Sequence, residues 1–126
     1  MEEEKKKYTV VYAVDFDGTL VANQWPEIGA PNIPLINCMK GLRKNGSKVV
    51  LWTNRNGELL NQAVSFCRSF GLEFDAVNDN VPELVEMYGN NTRKVSADVY
   101  IDDKSVKPEQ FVMSQMKKRR KRIFHK

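Results

Sequence analysis

The chain has 126 residues, 41% of them hydrophobic and 29% charged, with a formal net charge of +4. That length suits one domain, large enough for a core without disulfide or metal staples. No apolar run reaches the ~18 residues of a membrane span, and the acidic start MEEEKKK does not fit a signal peptide, so the expected location is the cytoplasm.

Residues 1–7 are expected to fray, 8–116 to form the domain, and 117–126 to form a basic tail. The first predicted strand, 8–15, contains the apolar run TVVYAV from Thr9 to Val14. It runs directly into Asp15-Phe16-Asp17-Gly18-Thr19-Leu20. Side chains two apart on an extended chain point the same way, so Asp15 and Asp17 can face one site. Two adjacent carboxylates repel each other and favour a divalent cation, and oxygen-rich sites of this sort suit Mg²⁺. Gly18 can turn the chain tightly beside a ligand. Residues 21–34 (VANQWPEIGAPNIP) hold Pro and Gly throughout and cannot form a regular helix. They are expected to make a flap over the site, with Trp25 and Glu27 its candidate specificity residues.

A helix over 32–45 stops at Asn45-Gly46, and a strand over 48–53 follows. Trp52 lies inside that apolar strand and is read as core. Next come a helix over 57–70 ended by Gly71, a strand over 74–77, and Asn78-Asp79-Asn80 as turn residues. Pro82 opens a helix over 82–88, and Pro108 opens one over 108–118 after a strand at 97–102. The extreme C-terminus either extends this last helix or is disordered.

Alternating strands and helices predict an α/β fold, a Rossmann-like three-layer sandwich with a mostly parallel sheet of four to five strands. Strand order 3-2-1-4 with right-handed crossovers brings three strand ends together. Asp15, Thr53 and Asp102 sit at those ends, where ligands bind in open α/β sheets. Asn54 and Arg55 follow in a loop above the site. Arg55 either forks onto a substrate phosphate or makes a surface ion pair.

Other chemistries are excluded by what is missing. Cys38 and Cys67 form no CxxC and no zinc spacing, and no Cys-x5-Arg loop exists; both are expected as buried or partly buried thiols. His125, the single histidine, is one of the last two residues. Carboxylates are left as nucleophile and base.

The stretch Asp15 to Leu20 (DFDGTL) resembles motif I of the haloacid dehalogenase-like superfamily. Val49-Val50-Leu51-Trp52-Thr53 resembles its second motif, Lys94 its third, and Val99-Tyr100-Ile101-Asp102-Asp103 its fourth. WPEIG, LWTNR, AVNDN and YIDDK also resemble small hydrolase-like members from bacteria and phages. The resemblance implies Mg²⁺-dependent phosphoryl transfer, with Asp15 as nucleophile and Asp17 as general acid and then base. It implies that Thr53 bonds a phosphoryl oxygen and that Lys94 balances charge. It further implies a metal held by Asp15, the Asp17 carbonyl and Asp102, with Asp103 acting from behind them. Gly18, Trp25, Asn54 and Arg55 are the candidate substrate-binding residues. Neither gap between motifs is long enough for a cap domain, so a capless phosphatase of phosphate monoesters is expected. Its substrate is a small phosphometabolite, a nucleotide or a phosphorylated nucleic-acid end. The alternative is a nucleic-acid-binding or regulatory protein on the same scaffold, with little or no catalysis.

Charge is unevenly spread. Seven of the 20 basic residues lie in 117–126, leaving 13 against 16 acidic ones, a net of −3 for the rest. The tail is a candidate nucleic-acid contact through phosphates. No apolar anchor points to a membrane, and self-association is the other partner considered.

Overall fold

Val11, Ala13 and Val14 are buried on alternate faces of one short strand, and everything else is organised around it. The computed structural model describes residues 9–92 and 94–124; the expected fraying tail at 1–7 lies outside them. In chain order the elements are β1 (Val11–Val14), β2 (Val21–Gln24), β3 (Glu27–Pro31), α1 (Ile33–Lys44) and β4 (Lys48–Leu51). They continue as α2 (Gly57–Ser69), β5 (Ala76–Val77), α3 (Pro82–Tyr88), β6 (Val99–Ile101) and α4 (Pro108–Phe124).

The main sheet has order β5-β4-β1-β6, with every neighbouring pair parallel. This is the expected 3-2-1-4 arrangement. Its two faces carry separate apolar clusters, because successive strand residues point to opposite sides. Val14, Val49 and Leu51 pack with Ile36 and Met39 of α1 and Ala63 and Cys67 of α2. Val11, Ala13 and Val50 pack instead with Val81 and Val95, and with Leu84 of α3. Helices therefore flank the sheet on both faces in three layers.

Local chemistry explains the helix ends. Asn32 caps α1, its side chain accepting from the Leu35 N–H, and Pro stands in the first turn of α1 and α3. The half-buried edge at β5 is tied by Arg43, which forks onto Asp75, while Asp75 also accepts from the Val49 N–H.

Two expectations change, and one left open is decided. The 21–34 flap is an antiparallel hairpin, β2–β3, closed by a cis Trp25–Pro26 peptide and running into α1. Its sequence shows no period-2 alternation because Ala22 to Glu27 are all exposed, so no pattern of burial marks it as strand. Cys38 is exposed on α1, whereas Cys67 is buried and its thiol is pushed up to about 12 by that burial. The C-terminus extends the last helix as far as Phe124. Phe111, Val112, Met113 and Met116 on this helix are exposed, as are Lys117 to Arg120. No helix among the described residues is long and apolar enough to cross a membrane.

Candidate active site

Ladder bonds hold the three strand ends level. Asp15 donates its N–H to the Ile101 carbonyl at 2.9 Å, and Trp52 donates to the Val14 carbonyl at 2.8 Å. Asp15, Thr53 and Asp102 consequently meet at the C-terminal end of the sheet. They line a cavity of about 440 Å³ that also receives Asp17, Asn54, Asp103 and Trp25. Seven of the residues expected at the site are thus brought together.

Asp15, Asp102 and Asp103 each offer an oxygen, and these oxygens lie within 4.8 Å of one another. Hard oxygen donors at this spacing can hold a divalent cation. Burial pushes the Asp15 carboxyl up to about 6, and the charges of Asp102, Asp103 and Asp17 push the same way. A hydrogen bond from the Phe16 backbone opposes them. A cation at this position would remove the repulsion.

The Asp-containing turn has its own support. Thr19 is buried, donates its hydroxyl toward Asp15 Oδ2 at 3.5 Å, and accepts from the Asp103 N–H at 3.2 Å. It links the ends of β1 and β6. Gly18 has φ +85°, and a methyl group there would lie 2.9 Å from Asp103 Cγ and closer still to its Oδ2. Only glycine allows Asp103 to approach so closely. Gly18 therefore acts through its backbone.

The loop after β4 is held by Asn78. This residue has φ +50°, accepts from the Thr53 N–H at 2.7 Å, and donates to the Arg55 carbonyl at 3.4 Å. Asparagine tolerates the left-handed region better than most side chains. Thr53 accepts in turn from the Arg55 N–H at 3.1 Å, closing a tight local turn.

Arg55 departs from both expectations for it. Only 2% of it is exposed. Its Nε and Nη2 donate to the two Asp17 oxygens at 2.8 and 2.7 Å. The hydrogen bonds to Asp17 raise the guanidinium above its ordinary value, against the opposite pull of burial. It is neither a free phosphate fork nor a surface ion pair, because Asp17 and the hairpin use four of its five donors.

Lys94 also lies elsewhere. It is exposed, with Nζ 5.6 Å from the Tyr100 ring centroid, and it lines an adjoining groove that shares Asp102. Asn80 shapes the approach to it, donating to Asn91 and to the Thr92 carbonyl and accepting from the Ser96 N–H. Among the described residues, the cation that lines the cavity itself is Lys104, directly after the acidic pair. Sequence reasoning missed Lys104 as well as Asn23, Asn78 and Trp52, all of which line the cavity. Lys104 was visible in the YIDDK stretch. Asn78 looks like any turn asparagine until its partner, 25 positions away, is known.

A half-buried carboxylate, a second carboxylate two residues on, and a cluster of hard oxygen donors can together support attack on an electrophile with a cation present. No family model and no curated protein matches the chain. Among solved structures, the chain is similar to a conserved protein from Bacteroides thetaiotaomicron. The two are 38% identical, with a TM-score of 0.69, and the match covers 90% of this chain and 93% of the other.

Proposed function

The chain belongs to the family of that conserved Bacteroides thetaiotaomicron protein, and for this member we propose a Mg²⁺-dependent phosphatase of haloacid dehalogenase-like type, hydrolysing phosphate monoesters. The observation that carries this reading is the meeting of Asp15, Asp17, Thr53 and the Asp102–Asp103 pair in one cavity. An Asp15 oxygen bonds to phosphorus as the ester P–O bond breaks, and the leaving oxygen takes a proton from Asp17. Water then attacks the aspartyl-phosphate, returning a proton to Asp17 and releasing inorganic phosphate with Asp15 restored. Asp17 accepts from Arg55 at both oxygens, which fixes the orientation of its carboxyl group.

The donor set suits Mg²⁺. Carboxylates of Asp15, Asp102 and Asp103 and the carbonyl of Asp17 would hold it. The ion supplies compensation for phosphoryl charge. Thr53 hydrogen-bonds a phosphoryl oxygen. Lys104 in the cavity and Lys94 in the adjoining groove supply positive charge. Without a cap the site accepts a small phosphometabolite, a nucleotide or a phosphorylated nucleic-acid end. The exposed basic residues Lys117 to Arg120 of α4 favour the last of these, and they equally favour a nucleic-acid-binding protein with little catalysis.

The test is Mg²⁺-dependent phosphate release from sugar phosphates, nucleotides and 3′- and 5′-phosphorylated oligonucleotides, with Asp15→Asn beside the wild type. Release that needs both Mg²⁺ and Asp15 is expected. Oligonucleotide binding without release from any substrate would favour the binding protein instead.

A further inference from the structure

We propose that Arg55 is a positioning residue that straps the β2–β3 hairpin to Asp17, making the hairpin a fixed wall of the cavity instead of a lid. One guanidinium joins two pieces of chain that share no strand pairing with the residue carrying it. Its Nε and Nη2 hold both Asp17 oxygens. The same Nη2 donates to the Glu27 carbonyl at 2.9 Å, and Nη1 donates to the Pro26 carbonyl at 3.2 Å. Both carbonyls belong to the tip of the hairpin. The cation also lies over the Phe16 ring, 5.0 Å from its centroid. Four of its five N–H donors are committed.

Burial makes the strap costly to release. Water has almost no access to Arg55, so swinging the hairpin out would break two charge-assisted hydrogen bonds, which bonds to water would offset only in part. The backbone of Arg55 is held as well, by Thr53 at its N–H and by Asn78 at its carbonyl. The hairpin contributes Asn23 and Trp25 to the cavity wall. A fixed hairpin means that these two side chains meet the substrate in a preformed cavity, and that Asp17 is aimed at the leaving oxygen by the same guanidinium. A lysine cannot do this, since it offers a point charge in place of a planar fork.

The kinetic part of this inference rests on the proposed phosphatase, but the structural part does not, so the test has two arms. The first is hydrogen–deuterium exchange of residues 21–31 in wild type, Arg55→Lys and Asp17→Asn. Wild-type exchange is expected to stay unchanged on adding Mg²⁺ with inorganic phosphate. In Arg55→Lys it is expected to rise by about tenfold, as loss of a buried, charge-assisted hydrogen bond implies. Asp17→Asn removes the charge and one of the two acceptors at the other end of the strap and should loosen the same segment, whether or not Arg55 variants fold. Strong protection of 21–31 by phosphate in wild type, or unchanged exchange in both variants, would overturn the proposal even in a protein without phosphatase activity.

The second arm compares an alkyl phosphate with p-nitrophenyl phosphate, whose leaving group needs little protonation. Misplacing Asp17 should lower kcat on the alkyl ester by about 10²-fold or more and should lower it much less on the nitrophenyl ester. KM should stay nearly constant for both. An equal loss on the two esters is what simple loss of folded enzyme produces, and it would remove the positioning role.

Discussion

At the scale of single residues, Asp15 is where protonation, stability and the proposed metal meet. Burial holds its carboxyl at about 6 in the folded state, above the ordinary 3.8, so the folded state binds more protons than the unfolded one over that interval. Without metal, this group's contribution to stability is therefore fully favourable below about pH 4 and is lost as pH rises through about 6. Mg²⁺ needs the ionised form, so its stabilising effect should grow over the same range. Thermal melts at about pH 5 and about pH 7 should show the larger Mg²⁺ shift at the higher pH, and equal shifts would take Asp15 out of the ligand set. Asp15→Asn should retain the fold while losing turnover by about three orders of magnitude or more. The two lysines can be separated in the same assay. Lys104→Ala should lower kcat/KM by about 10²-fold, with a smaller loss for Lys94→Ala; the reverse order would return the phosphate-balancing role to Lys94.

At the scale of elements, the site depends on two turns whose backbones are unusual. Gly18 combines φ +85° with close approach to Asp103. Gly18→Ala should cost about 1–2 kcal/mol for its left-handed backbone and should displace Asp103, so metal affinity by calorimetry should fall along with the melting temperature. A variant that loses stability but keeps its Mg²⁺ affinity would show that Asp103 is dispensable to the cation. Asn78 performs the corresponding task for Thr53. The DFDGTL turn was legible because Asp, Gly and an apolar strand stand next to each other in sequence. The hairpin was not, since Trp25-Pro26 lacks the Asn-Gly type of turn signal and the outward residues show no alternation.

At the scale of the whole molecule, an acidic body carries a long basic helix. The 17 residues of α4 span roughly 25 Å at 1.5 Å per residue. Its described side chains from Pro108 to Arg120 are all exposed. If this helix engages nucleic acid, binding of a single-stranded oligonucleotide should weaken with salt, with a log–log slope of roughly −0.7 per phosphate neutralised. Deleting 117–126 should abolish that dependence while leaving Mg²⁺ binding intact. Anisotropy titrations at two salt concentrations decide it, and unchanged binding after the deletion would assign the contact to another surface.

Residue order alone determined the strand–helix alternation, the parallel sheet with β1 central, and the convergence of Asp15, Thr53 and Asp102. These follow from local apolar periodicity and from the handedness of crossovers, both of which are carried by neighbouring residues. Tertiary structure decided where Arg55 goes, which lysine lines the cavity, what Asn78 holds, and that 21–31 pairs with itself. Each of these turns on a side chain meeting a partner many positions away, as Arg55 meets Asp17 across 38 residues. Spacing along the chain does not encode that approach. It exists only once the sheet has brought the ends of β1 and β4 together and buried the guanidinium between them.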